Sequence, residues 1–238
     1  MDLDGGRMLA ALVVALVCAV LGLAVPWLIA RLPEPTPDPG EDPADFPDKV
    51  PYAELGARRQ LRLRSAAACG TAGALLGAAL GWSWALPWLV FLVPVCCALT
   101  VIDYVTWYLP TRLIAPSYLV VGALVALGAV ATGDVRVLLA GVLGAIGLGA
   151  YYGLLWFISP RMMAFGDVRL AGLLGLALGP FGTGTVILSV LLAGVIGVLG
   201  YLPLRWVGNA IRRHVPFGPF LVLGALGAVV LGQALAAA

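Results

Sequence analysis

Charged residues divide the chain into long uncharged runs, and the lengths of these runs predict its helices. A bilayer core of roughly 30 Å requires roughly 20 helical residues for one crossing. The runs that supply one crossing each are 8–30, 113–133, 137–160 and 215–238. Two further runs are too long for one crossing and contain Gly and Pro breaks: 65–102, broken at 81–87, and 170–204, broken at 179–184. Each of these counts as two spans, so the pattern predicts about eight transmembrane helices.

The composition supports an all-α polytopic membrane protein in contact with the lipid bilayer. Of the 238 residues, 62% are hydrophobic and only 11% are charged, with a mean hydropathy of +1.03. About a quarter of the residues of a soluble domain are charged. The net charge is only +2, and the 14 Lys and Arg are scattered along the chain. These values exclude a soluble enzyme, and no nucleic-acid partner is expected.

The predicted organisation has three parts. Residues 1–31 form a first transmembrane helix, which we expect to be retained because its apolar run is longer than a signal-peptide core. Residues 32–64 contain seven Pro, seven acids and five bases, too polar a composition to bury a core. They predict a cytoplasmic loop, with a short amphipathic piece at Tyr52 to Leu63 lying against the headgroups. Residues 65–238 form a transmembrane core of seven helices.

The distribution of Lys and Arg predicts the orientation, because cytoplasmic loops are enriched in these residues. With the N-terminus outside, twelve of the 14 basic residues lie on the inner side, and only Arg7 and Arg136 lie outside. This orientation places both termini outside. It also places Asp103 and Asp167 at cytoplasmic helix ends, with Asp134 on the opposite side.

Acids are rare in the predicted membrane core. Nine of the twelve Asp and Glu precede residue 55, and only Asp103, Asp134 and Asp167 follow it. A carboxylate near the membrane boundary is costly unless it has a task, although Asp103 could simply be exposed to cytoplasmic water. Asp134 and Asp167 share the local sequence Gly-Asp-Val-Arg, and each could simply cap a helix.

Asp103 and Asp167 are the only core acids predicted on the inner side. Two neighbouring carboxylates can share a proton and activate a water molecule, as in aspartic proteolysis. A proton-coupled transporter also uses sparse intramembrane acids, and it is the alternative from a different class. A carrier would be expected to place these acids near the membrane midplane and to show two related halves.

Three motifs in order along residues 65–238 resemble the type IV prepilin peptidases, eight-span aspartic proteases related in their GxGD motif to presenilin-like enzymes. The first is Asp103 with Leu109-Pro110 downstream. The second is Gly-Asp-Val-Arg-Leu at 166–170, which leads into glycines at positions 172 and 175. The third is Val-Pro-Phe-Gly-Pro-Phe at 215–220.

The resemblance implies a catalytic dyad of Asp103 and Asp167. It also implies a set of residues that support the site: Gly166, Arg169, Pro110, Pro216, Phe217, Gly218 and Pro219. The implied substrates are prepilin or pseudopilin helices with a short basic leader, cut at the cytoplasmic face of the inner (plasma) membrane. A homologue that binds pilin-like helices without cutting them is a further alternative.

The sequence departs from the family pattern at three points. Ala164 occupies the position of the motif's first Gly, and Thr111 follows Leu109-Pro110 where many members have Asp. The larger members carry a cysteine-rich zinc domain and also methylate the mature pilin, whereas the 32–64 loop contains no Cys. The sequence therefore predicts a short-form peptidase with no metal or other cofactor, and it does not support methyltransferase activity.

Overall fold

The regular structure of the described residues is helical throughout. The computed structural model describes residues 3–34, 50–159, 163–206 and 216–237. The α-helices of these ranges are α1 Leu3–Gly22, α2 Val25–Ala30, α3 Tyr52–Ala57, α4 Arg59–Leu80, α5 Leu86–Thr106, α6 Thr111–Thr132, α7 Arg136–Ile158, α8 Phe165–Leu178, α9 Thr183–Trp206 and α10 Gly218–Ala237. A 3-10 turn, Gly179–Phe181, separates α8 from α9.

Seven helical segments in the described ranges are long and apolar enough to cross a membrane. One of them, Gly5–Ala30, combines α1 and α2, and the others are α4, α5, α6, α7, α9 and α10. The prediction of an all-α polytopic membrane protein is therefore confirmed.

The remaining predicted span corresponds to α8, which differs from the other seven in length and position. Its 14 residues rise about 21 Å, less than the roughly 30 Å of a bilayer core. Eleven of these residues are buried, so α8 lies inside the bundle. The run 170–204 does divide within its predicted break, because the 3-10 turn Gly179–Phe181 ends α8 there.

The region predicted as a loop is partly helical. Helix α4 begins at Arg59, before the predicted boundary at residue 65, and α3 forms at Tyr52–Ala57. Tyr52 and Leu55 are each only 1% exposed, so one face of α3 packs on the protein. Its position against the headgroups stays a prediction. Gly56 permits this packing, since a Cβ there would lie 2.5 Å from the Pro26 carbonyl oxygen of α2. Residues 35–49 lie outside the described ranges.

Helices α5 and α8 run in opposite directions, and this arrangement determines where their acids lie. Trp88, near the start of α5, donates its indole N–H to the carbonyl oxygen of Ala177, near the end of α8, over 3.2 Å. The end of α5 therefore lies at the same end of the bundle as the start of α8. Asp103 and Asp167 occupy those two positions.

Candidate active site

Asp103 lies in the last turn of α5 and is 5% exposed. Its Oδ2 accepts a hydrogen bond of 2.9 Å from the backbone N–H of Gly218, the first residue of α10. A Cβ on residue 218 would lie 2.7 Å from that oxygen. The backbone can approach the carboxylate this closely only because residue 218 is glycine.

The chain turns sharply directly after Asp103. Trp107 has a left-handed backbone (φ 54°), and among the described residues it is the only one other than glycine with a positive φ. The backbone N–H of Trp107 donates a 2.9 Å hydrogen bond to the backbone carbonyl oxygen of Asp103, and α5 ends there. Leu109 is buried, and Pro110 directly precedes α6. This turn fixes the backbone around Asp103 and directs α6 away from the site.

Asp167 is the third residue of α8 and is 4% exposed. Its Oδ2 accepts a hydrogen bond of 3.2 Å from the backbone N–H of Ala164, so the carboxylate closes the first turn of the helix. Its Oδ1 is buried and has no hydrogen-bond partner among the described residues. Capping therefore accounts for one oxygen of Asp167 and leaves the other without a partner.

The two carboxylates lie close enough for their charges to interact. The start of α10 joins them to a third helix, because Gly218 contacts Asp103 while the neighbouring Phe217 ring lies 6.0 Å from the Tyr152 ring of α7. Tyr152 in turn interacts electrostatically with Asp167. The structure thus brings α5, α7, α8 and α10 together around the two acids.

Gly166 allows the start of α8 to approach the segment that follows α5. A Cβ at this position would lie 2.8 Å from the Cβ of Leu109. Gly166 therefore contacts the Leu109-Pro110 motif and sits beside Asp167 in the chain. The first two predicted motifs meet at this contact.

Arg169 contacts residues outside the acidic pair. Its guanidinium donates to the Thr111 hydroxyl and lies over the Phe165 ring, 5.2 Å from the ring centre. Its carbonyl oxygen accepts a 2.8 Å hydrogen bond from the Tyr118 hydroxyl. Thr111 is therefore a partner of Arg169.

Within the third motif, 215–220, the described residues contact different parts of the site. Gly218 bonds to Asp103, and the Phe217 ring contacts Tyr152 and also Phe220, at 6.1 Å between ring centres. Pro216 and Pro219 are half-buried on either side of them. Val215 lies outside the described residues.

The structure separates Asp134 from the other two acids. Asp134 follows α6, which starts beside the site at Thr111 and runs 22 residues to Thr132. Its Oδ1 accepts a 2.9 Å hydrogen bond from the backbone N–H of Arg136, the first residue of α7, at an exposed position. The identical Gly-Asp-Val-Arg sequences therefore occupy opposite ends of the bundle.

Sequence reasoning missed two residues of this region, Tyr152 and Trp107. Tyr152 follows Tyr151 in an apolar run, and no local pattern indicates which of the two faces the core. Trp107 directly follows the last residue of α5. Its left-handed backbone has no sequence signal, because glycine is the residue usually expected there.

The described residues contain no group of three or more His, Cys, Asp or Glu side chains that could hold a metal ion. The only histidine of the sequence, His214, lies outside the described residues. The absence of a metal or other cofactor stays a prediction. The chain has no significant match among protein-family models, curated proteins or solved structures. The chemistry of the site must therefore be argued from its own residues.

Proposed function

We propose that the protein is a membrane-embedded aspartic endopeptidase that removes the short basic leader of prepilin or pseudopilin substrates. The observation that carries the proposal is the convergence of Asp103 and Asp167. They are the only acids after residue 55 apart from Asp134, and both are buried at one end of the bundle within electrostatic range of each other. Burial of two like-charged groups is costly, so their pairing requires a reason beyond packing.

Two neighbouring carboxyl groups that share one proton can catalyse amide hydrolysis without a cofactor. The ionised group takes a proton from a water molecule, whose oxygen attacks the scissile carbonyl carbon. The protonated group donates its proton to the carbonyl oxygen. Collapse of the tetrahedral intermediate breaks the C–N bond. The leaving nitrogen receives a proton from the dyad, and one hydroxyl of the intermediate returns its proton to the dyad, which restores the starting state. Gly218 would hold Asp103 and Ala164 would hold Asp167 during these transfers, through the hydrogen bonds described above.

The position of the dyad suits a bond at the membrane boundary. Asp103 precedes the end of its helix by three residues, and Asp167 is the third residue of its own helix. A substrate whose hydrophobic helix lies in the bilayer would present the start of that helix at this depth. The basic-residue bias assigns this boundary to the cytoplasmic face of the inner (plasma) membrane, with both termini outside.

Co-expression with pilin-like precursors tests this function. We expect the wild-type protein to convert a precursor to a shorter product on a gel, and N-terminal sequencing to place the cut just before the hydrophobic helix. D103N keeps the shape of the side chain but cannot transfer a proton, so it should insert in the membrane and leave the precursor intact. A shorter product of equal yield from D103N would contradict the proposal.

A further inference from the structure

Tyr151 and Tyr152 are adjacent on α7 but face different surroundings. Tyr152 is 3% exposed, whereas Tyr151 is 45% exposed. The two rings meet edge to face at 5.0 Å between centres. The chain thus supplies a buried tyrosine and an exposed one at successive positions of one helix.

Tyr152 lies close to both parts of the candidate site. Its ring lies 6.0 Å from that of Phe217, whose neighbour Gly218 donates its N–H to Asp103. The next residue of α7, Gly153, packs against α8 beside Asp167, since a Cβ there would lie 3.6 Å from Val168 Cγ1. Tyr152 also interacts electrostatically with Asp167. Tyr152 therefore lies between Asp167 on one side and, on the other, the segment whose Gly218 bonds to Asp103.

Asp167 has one buried carboxylate oxygen that accepts no hydrogen bond from the described residues. Its Oδ1 is buried without a hydrogen-bond partner among the described residues, while Oδ2 is bonded to Ala164. An unpaired buried oxygen is destabilising and uncommon in folded proteins. The buried phenol on the face of α7 that packs beside Asp167 is that of Tyr152.

We propose that Tyr152 is a positioning residue whose phenolic O–H reaches Asp167 Oδ1 and donates to it. The inference rests on the proposed peptidase function. Hydrogen bonds of this kind are often long without substrate and shorten in the reactive complex. In that complex both oxygens of Asp167 would be held, Oδ2 by the Ala164 N–H and Oδ1 by the phenol, so the carboxylate could not rotate during proton transfer.

Replacement of the hydroxyl alone tests the proposal. Y152F keeps the ring and its contact with Phe217, so membrane insertion and thermal stability should match the wild type. We expect kcat for leader cleavage to fall by about 10-fold to 100-fold with little change in KM, as for a lost hydrogen bond to a charged group. Y151F removes a hydroxyl from the adjacent exposed position and should behave as wild type. An unchanged kcat in Y152F would overturn the proposal, because a ring that only packs is fully retained in Phe.

A second measurement does not depend on cleavage. A hydrophobic carbodiimide modifies buried carboxyl groups, and its site can be located by mass spectrometry of the full-length protein in membranes. A phenol that reaches Oδ1 shields Asp167, so labelling of Asp167 should be faster in Y152F than in the wild type and in Y151F. Equal labelling in all three proteins would overturn the proposal even if no precursor is cut.

The outcomes separate the inference from the function on which it rests. If D103N and D167N are inactive while Y152F has the wild-type kcat, only the role of Tyr152 is wrong. If D167N cleaves normally, the peptidase dyad is wrong, and the carbodiimide result then decides whether Tyr152 interacts with Asp167.

Discussion

Gly218 lies so close to Asp103 that no side chain fits between its backbone and the carboxylate. Its N–H bonds to Asp103 Oδ2 at 2.9 Å, and a Cβ would lie 2.7 Å from the same oxygen. G218A should therefore displace the carboxylate while the helix itself is retained, since Ala is the better helix former. We expect leader cleavage to slow by at least about 10-fold, because small displacements of catalytic groups are costly.

The matched control for G218A is G194A in α9, where a Cβ would have no heavy atom within 4 Å. Steady-state cleavage by purified G194A should equal that of the wild type, and both variants should unfold at similar temperatures. Wild-type kcat/KM in G218A would show that Asp103 does not need its present position.

Helices α7 and α8 are packed backbone to backbone, and this contact places Asp167. A Cβ on Gly144 of α7 would meet the Gly175 carbonyl oxygen and would lie 2.9 Å from the Cα of Gly179. Overpacking of this kind costs about 1–3 kcal/mol. G144A should therefore lower the unfolding temperature in detergent micelles, as followed by circular dichroism.

One turn along α7, Gly147 provides the opposite case, because a Cβ there would meet no heavy atom within 4 Å. G147A should leave stability unchanged or raise it by up to about 1 kcal/mol through helix propensity. Equal shifts in G144A and G147A would mean that the close α7–α8 contact does not stabilise the bundle.

The sequence predicted the helices well where a run of apolar residues ended at a charge or at a Gly-Pro break. Both long runs divide within their predicted breaks. It predicted an amphipathic piece at Tyr52 to Leu63 but not the start of α4 at Arg59 or the packing of α3 on α2, because these depend on tertiary contacts such as that of Gly56 with Pro26. It also assigned α8 a full membrane crossing. Apolar residues are favoured both inside the bundle and in contact with lipid, so an apolar run alone does not distinguish a buried helix from a transmembrane one.

The candidate acids were predictable because carboxylates are so rare in the core. Topology then separated Asp134 from Asp167 despite identical neighbours, and the structure agrees that they lie at opposite ends. The resemblance implied Gly218 as a supporting residue, but its hydrogen bond to Asp103 and the contact of Tyr152 with Phe217 were not predictable from the sequence. Their contacts join residues far apart in the chain, and only the folded structure shows which face of α7 points inward.

The orientation of the whole bundle can be tested by the accessibility of single cysteines. Tyr104, beside Asp103, is 59% exposed, and Val135, beside Asp134, is 63% exposed. In a variant without the four native cysteines, Y104C and V135C should react differently with a membrane-impermeant maleimide. We expect V135C to be labelled in intact spheroplasts and Y104C only after lysis. Labelling of both from the same side would contradict the separation of the two ends.

The internal repeat provides the most direct measurement of the central claim, that Asp103 and Asp167 form a catalytic pair. Positions 133–136 and 166–169 read Gly-Asp-Val-Arg alike, so D134N and D167N make the same chemical change in the same local sequence. Leader cleavage would be measured with purified protein in proteoliposomes for the wild type, D103N, D167N and D134N. We expect no cleavage by D103N or D167N and near wild-type cleavage by D134N, since Asn caps a helix about as well as Asp. Full activity in D103N or D167N, or loss of activity in D134N equal to that in D167N, would contradict the assignment of the catalytic pair.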